Sequence, residues 1–160
     1  QGDLIFGNQS YVTINTDRTK AKYFFADPSI VQQPPEKFPV LPSIECEFDL
    51  KITDLNRIRT ALSIYGHLED IAIVGKNGSV SIEIRDKENP SSNTYSLVVG
   101  TTDATFLFEL KSENIYKLDY SNANTGYNVR ISKSGASQWV SSDGVVYLIA
   151  LEPYSTYEEN

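Results

Sequence analysis

The sequence predicts an α+β protein built mainly from antiparallel strands. Three observations lead there: apolar alternation of period two in many short segments, two separate helical stripes, and one element order, strand-helix-strand-strand-strand, that occurs twice in succession. At 160 residues, of which 40% are hydrophobic and 11% aromatic, the chain can bury one good core and a fraction of a second.

The first elements are three short strands, Leu4 to Asn8, Tyr11 to Thr16 and Lys22 to Ala26, with turn chemistry at Gly7-Asn8 and Thr16-Asp17-Arg18. So small a sheet buries too little apolar area to offset the entropy of ordering it, which makes residues 1–26 the remnant strands of a larger, truncated N-terminal domain. The sequence contains no methionine, so residues upstream are expected to be missing. Asp27 to Pro42 then carries five prolines in sixteen residues. Proline fixes φ, lacks an amide donor and biases the residue before it toward extended backbone, so this stretch reads as a stiff, non-helical crossing. Residues 27–43 are taken as an interdomain connector and 44–160 as a complete C-terminal domain.

The first repeat opens with Ile44, Cys46, Phe48, Leu50 and Ile52 alternating with Glu45, Glu47, Asp49 and Lys51, a strand with one buried face. Thr53 is expected to cap the helix that follows, with Asp54 in its first turn, the stripe Leu55, Ile58, Leu62 and Tyr65 on the sheet, and Gly66 at its end. Ile71 to Lys76 and Ser79 to Arg85 form a hairpin about Asn77-Gly78, with Val80, Ile82 and Ile84 inward, and Thr94 to Gly100 supplies the last strand. In the second repeat Ala104 to Leu110 points Phe106, Phe108 and Leu110 to one face. Ser112 is expected to cap a helix of about two turns packed through Ile115 and Leu118, and the loop Ser121 to Gly126 follows. Tyr127 to Lys133, Ser137 to Ser141 and Val145 to Leu151 complete the unit. The polar, acidic tail from Tyr154 to Asn160 is expected to fray.

Composition removes several classes of function. A net charge of −7 and a pI near 4.7 argue against a protein that coats nucleic acid with basic surface, so any contact with DNA has to be local. No apolar run approaches the roughly 20 residues needed to cross a bilayer, and the N-terminus lacks the regions of a signal peptide; a soluble intracellular protein with no membrane contact fits. Cys46, the lone cysteine, lies on an alternating apolar face and reads as a buried structural thiol rather than a nucleophile. His67 follows the helix-ending Gly66, and reads as an imidazolium favoured by the helix C-terminus or as a simply exposed side chain rather than a catalytic group. No metal-ligand spacing, nucleophile triad or glycine-rich phosphate cradle is present, and the carboxylates mostly fall on alternate strand positions, as on a solvated sheet face. No enzymatic activity, cofactor or metal is expected.

The run ADPSIVQQPPEKFPVLPS, the segment TDLNRIRTAL, the hairpin IAIVGKNGSVSI, the strand TYSLVVG and the ending YLIALEPYST resemble the DNA sliding clamps of T-even-type bacteriophages. Their order and spacing carry the likeness, which runs from about Asn8 to Thr156 and aligns the chain with the C-terminal two-thirds of such a clamp. The resemblance implies a clamp fold with antiparallel sheets outside and helices on the inner face. In that family three subunits close a ring around duplex DNA, an ATP-dependent loader opens it, and the ring holds the replicative polymerase on the template. The implied setting is the cytoplasm of an infected bacterial host.

Charge agrees with a local DNA contact. Arg57, Arg59, Lys111 and Lys117 against Asp54 and Glu113 give the two helices a net +2 in a chain of −7. On a helical wheel Arg57 falls opposite the apolar stripe and Arg59 at its flank, so both can face a pore, although ordinary solvated helix faces carry similar charges. Phosphate contacts of this kind read no sequence and weaken with salt. The resemblance also implies a groove for the C-terminal tail of the phage DNA polymerase, lined by Val31, Phe38, Val40 and Leu41 of the connector and by Leu151, Pro153 and Tyr154. The plain alternative is that the connector's apolar residues only pin it to the sheet. A different class of function, a viral structural or carbohydrate-binding β-rich module, would suit the ten tyrosines. It gives no reason for two equivalent helices with basic outer faces. A hydrolase with two catalytic carboxylates is weaker still, because the pattern nominates no buried acidic pair.

Overall fold

A computed structural model describes residues 3–6, 11–15, 20–24, 40–66, 68–89, 91–119 and 126–159. Val31, Phe38, His67 and the connector up to residue 39 lie outside the described residues. The elements are β1 (Asp3–Phe6), β2 (Tyr11–Asn15), β3 (Lys20–Phe24), β4 (Cys46–Leu50), α1 (Ile52–Tyr65), β5 (Asp70–Lys76), β6 (Ser79–Ile84) and β7 (Tyr95–Thr101). There follow β8 (Thr105–Lys111), α2 (Ser112–Tyr116), β9 (Tyr127–Ser132), β10 (Ala136–Ser141), β11 (Val146–Ala150) and β12 (Thr156–Glu158). The architecture is α+β: two sheets of mainly antiparallel strands and two helices.

The strand orders are β1-β2-β3-β11-β10-β9-β4 and β12-β8-β5-β6-β7. Each repeat therefore gives its first strand to the sheet of the other. β4 pairs antiparallel with β9 of the second repeat, Phe48 opposite Val129, and β8 pairs antiparallel with β5 of the first, Phe108 opposite Ile73. The single parallel pairing joins β3 to β11, from Ala21 opposite Val146 to Phe24 opposite Ile149. Asn77 and Gly78 both take positive φ, 54° and 83°, the geometry of a tight two-residue turn between β5 and β6.

Alternation carries the core. Cys46, Phe48 and Leu50 on β4, Val80, Ile82 and Ile84 on β6, and Phe106, Phe108 and Leu110 on β8 are all buried. They join Leu55, Ile58 and Leu62 of α1, Ile115, and Trp139 in one hydrophobic cluster that spans both sheets and both helices. Each fully buried aliphatic side chain contributes about 1.5–3 kcal/mol, so the α1 stripe alone supplies several times what helix propensity does. Tyr127 stands edge-on to Trp139 and Tyr147, with ring centroids 6.5 and 5.9 Å apart. The Tyr127 hydroxyl donates to the Asp119 carbonyl at 2.6 Å and the Tyr147 hydroxyl accepts from the Asp119 amide at 3.1 Å. Two sheet tyrosines thus fasten the segment that leaves α2.

Three expectations are corrected. The N-cap positions belong to Lys51 and Lys111, without a side-chain cap bond, because each strand runs straight into its helix. Thr53 lies inside the first turn, and the Ser112 hydroxyl is spent on the carbonyls of Leu68 and Glu69, at 2.8 and 3.0 Å. The second helix spans five residues rather than two full turns. The tail is not frayed over its length: Thr156–Glu158 adds β12 to the edge of β8, Tyr157 opposite Phe106, where the tyrosine ring lies nearly parallel to Phe106 and Phe108 at centroid distances of 6.3 and 6.2 Å. Stacking on two core rings gives a polar segment enough apolar contact to hold a strand.

Candidate nucleic-acid interface and partner surface

The α1 stripe that enters the core leaves Thr53, Asn56, Arg57, Thr60, Ser63 and Ile64 outward. Thr60 and Ser63 turn their hydroxyls onto the helix, donating to the carbonyls of Asn56 and Thr60 at 2.9 and 2.7 Å, so Arg57 is the one charge on that face. The Arg57 side chain is 65% exposed and meets Asp54 at 3.4 Å, a geometry that leaves most of its charge to solvent. Arg59 points along the flank toward α2. Its guanidinium sits 5.5 Å from the Tyr116 ring centroid and donates to the Tyr116 carbonyl at 3.4 Å, and burial there lowers its pKa from the ordinary arginine value without discharging it. This contact is what ties the two helices together on their outer side.

Lys117 is the C-cap residue of α2 and follows Tyr116 on this helix pair. Lys111 does not join the other three. Phe106, Phe108 and Leu110 of β8 face the core, so strand alternation turns Glu109 and Lys111 to the opposite face of the sheet. There the Lys111 ammonium stands 3.9 Å from Glu152.

The surface expected to take a partner peptide is organised by the turn between β9 and β10. On one side of it Ser43 meets Ser132 through their hydroxyls at 3.1 Å, and the Lys133 amide donates to the Glu45 carboxylate at 2.7 Å. On the other side the Leu151 amide donates to the Gly135 carbonyl at 2.9 Å, and the Lys133 ammonium lies 5.3 Å from the Tyr157 ring centroid. The end of the connector and the C-terminal segment therefore converge on one turn. Val40 is 87% exposed, Ile44 is 49% exposed and Leu41 is half-buried beside it. Pro153 and Tyr154 are exposed in the turn that follows β11. Leu151 is a correction: just past the end of β11 it is 6% exposed, belongs to the hydrophobic core and offers a docked peptide almost no side-chain surface.

Pattern reading missed a polar network around that C-terminal turn. Glu109 and Glu152 are buried, not solvated, and Lys87, from the segment between β6 and β7, bonds both Glu109 and Asp70. A carboxylate on the non-core face of a strand looks solvated in sequence; only the approach of Lys87 and of the turn after β11 covers it. Among the described residues no group of three or more His, Cys, Asp or Glu is placed to hold a metal ion, and no helix is long and apolar enough to cross a membrane. No protein-family model matches the chain, and no curated protein is similar to it in sequence.

Proposed function

We propose that this chain is the greater part of a DNA sliding clamp, a non-catalytic processivity factor that encircles duplex DNA and holds a replicative polymerase on it. The observation that carries the reading is the reciprocal strand exchange between two repeats of identical element order, which sets α1 and α2 side by side as equivalent elements. In the proposed clamp fold these helices line the bore and the sheets form the outer wall. Arg57, Arg59 and Lys117 then meet phosphates within an otherwise acidic protein. So few cations suit the task, because a ring held topologically needs contacts weak enough to let it slide, and phosphate contacts read no sequence.

Closing a ring of three identical subunits requires two different edges that complement each other head to tail. β7 ends the five-stranded sheet, carries no charged residue in Tyr95–Thr101, and has no hydrogen-bonded strand on its outer side among the described residues; Val98 is 68% exposed there. Such an edge suits pairing with a second copy in the homotrimer we propose. An ATP-driven loader would open the ring, and the polymerase's C-terminal tail would dock on Val40, Leu41, Pro153 and Tyr154 together with Val31 and Phe38. The site of action would be the cytoplasm of a phage-infected bacterium. A carbohydrate-binding module would need open aromatic platforms. Trp139, Tyr127 and Tyr147 are instead buried, and the exposed tyrosines among the described residues, Tyr116 and Tyr154, each have a cation over the ring.

The test is fluorescence anisotropy of a labelled C-terminal tail peptide from a T-even-type phage polymerase, titrated with the protein beside a scrambled peptide. Saturable binding of the true tail alone, lost in Phe38→Ala or Tyr154→Ala, is expected. Equal binding of both peptides, or none to a folded sample, counts against the clamp.

A further inference from the structure

The ammonium of Lys87 lies 2.9 Å from the Glu109 carboxylate of β8 and 3.0 Å from the Asp70 carboxylate of β5. It also stands 4.3 Å from the centroid of the Tyr154 ring, whose hydroxyl donates to the same Asp70 oxygen. Both acids are almost sealed, with side chains 3% and 10% exposed. A buried carboxylate needs a paired cation, so Lys87 is unlike an ordinary surface lysine. Burial pulls its pKa down, but the hydrogen bonds and charges of Glu109 and Asp70 outweigh that and hold the proton more firmly than on a free lysine. From the other side the β8 backbone grips the same turn: the Glu109 amide donates to the Ser155 hydroxyl at 2.9 Å and its carbonyl accepts from the Glu152 amide at 2.8 Å.

We propose that Lys87 is the positioning residue of the C-terminal turn: anchored on Asp70 and Glu109, it fixes the Tyr154 ring and so presents Pro153 and Tyr154 in one orientation to a docking peptide. The docking half rests on the clamp reading; the positioning half does not. The Glu109 bonds hold the base of the turn at Glu152 and Ser155 but not the Pro153 and Tyr154 side chains at its tip; without Lys87 that tip would loosen, and a docked peptide would bear the entropy of ordering it. Lys87 ties that turn to the segment between β6 and β7, so a substitution more than sixty residues away in sequence alters the partner surface.

Amide hydrogen exchange followed by NMR on the whole chain separates positioning from general stability. In Lys87→Met, exchange at Glu152 and Ser155 is expected to accelerate by about tenfold or more while Ile73 and Ile82 stay within about twofold, and Lys87→Arg is expected to restore the protection. Unchanged exchange at Glu152 and Ser155, or acceleration of all four amides alike, overturns the proposal. Should Lys87→Met not fold, Tyr154→Leu removes the other side of the same contact, and loosening confined to the turn supports the assignment whereas no loosening rejects it. The labelled polymerase tail peptide is expected to bind Lys87→Met about fivefold more weakly than wild type, with Lys87→Arg near wild type. Equal affinities for wild type and Lys87→Met overturn the docking half. A wild-type protein that ignores the peptide rejects the clamp reading, and exchange then decides the role of Lys87 by itself.

Discussion

Ser137→Ala tests whether the core of the seven-stranded sheet depends on one hydroxyl. The Trp139 indole N–H donates to the Ser137 hydroxyl at 2.9 Å, and that hydroxyl donates to the Ile149 carbonyl at 2.9 Å. All three residues are fully buried, so water cannot replace the lost partner. An unsatisfied buried donor costs about 1–3 kcal/mol, and the broken bond to Ile149 adds about 0.5–1.5 kcal/mol, partly offset by the easier burial of a methyl group. A net loss of about 2–3 kcal/mol is a large share of the roughly 5–15 kcal/mol that holds a domain together. Trp139 is the only tryptophan in the chain, so its emission reports on the site and on global unfolding at once. With a urea m-value of about 2 kcal/mol/M, the midpoint should fall by about 1–1.5 M, whereas the exposed Ser96→Ala should move it by less than about 0.3 M. A Ser137→Ala midpoint within about 0.3 M of wild type, at unchanged m, would refute the hydrogen-bond argument.

Arg57 and Arg59 should separate binding from stability. Arg57→Ala is expected to change stability by less than about 0.5 kcal/mol yet reduce the slope of log affinity for a short duplex against log salt by about 0.9 per copy, read by anisotropy between low and moderate salt; Arg59→Ala should also lower the melting temperature, because it breaks the stacking on Tyr116. An unchanged slope in Arg57→Ala removes it from the DNA-facing set. Alkali should destabilise the protein: burial pushes the Cys46 thiol up to about 12, desolvation and the bond to Asp70 push the Tyr154 phenol up to about 12, and burial raises Tyr127 and Tyr147. The unfolded chain then gives up these protons first, near the ordinary pKa values of about 8.5 for cysteine and 10 for tyrosine, so the folded state binds more protons and stability falls as pH rises from about 9 toward 12. Urea midpoints across that range check the sign, and native Cys46 should resist a thiol reagent at pH about 8 that modifies the urea-unfolded chain at once.

Much of this was readable in the sequence. Strict alternation at Cys46-Phe48-Leu50 and Val80-Ile82-Ile84 needs only the pleat of a strand to become a buried face, and Leu55, Ile58 and Leu62 need only the helical period. Asn77-Gly78 names its own turn, and Gly66 ends α1 in the left-handed region with φ of 70°. What eluded pattern was set by partners distant in the chain. Ser112 looked like a cap until the carbonyls of Leu68 and Glu69, more than forty residues earlier, claimed its hydroxyl. Glu109 looked solvated because Lys87 and the turn around Ser155 reach it from opposite directions along the chain. Lys111 counted as a helix cation by position, but the last residue of a strand keeps the strand's facing, and that sends it away from α1. Leu151 lies close to Pro153 and Tyr154 in sequence, but it continues the inward set of Tyr147 and Ile149, and the chain turns outward only after it.

The strand exchange bears on why such a chain would serve as a rigid carrier of weak contacts. If β4 stayed with its own repeat, each unit could close its own core and the two helices would ride on separate bodies. With β4 in the sheet of the second repeat and β8 in that of the first, neither sheet is complete without a strand from the other, and one cluster runs from Cys46 to Leu151 through both. The helices are then held by a common core, and relative motion between Arg57 on α1 and Lys117 on α2 must disturb buried packing. Gly126 shows how tightly the junction closes: a Cβ there would lie 2.0 Å from the Leu50 carbonyl oxygen, so the backbone entering β9 passes directly against the end of β4. Folding alone therefore orders the face that carries Arg57 and Lys117. In the clamp we propose, a few charges, individually too weak to hold DNA, would thus act with a fixed spacing, as a sliding surface requires.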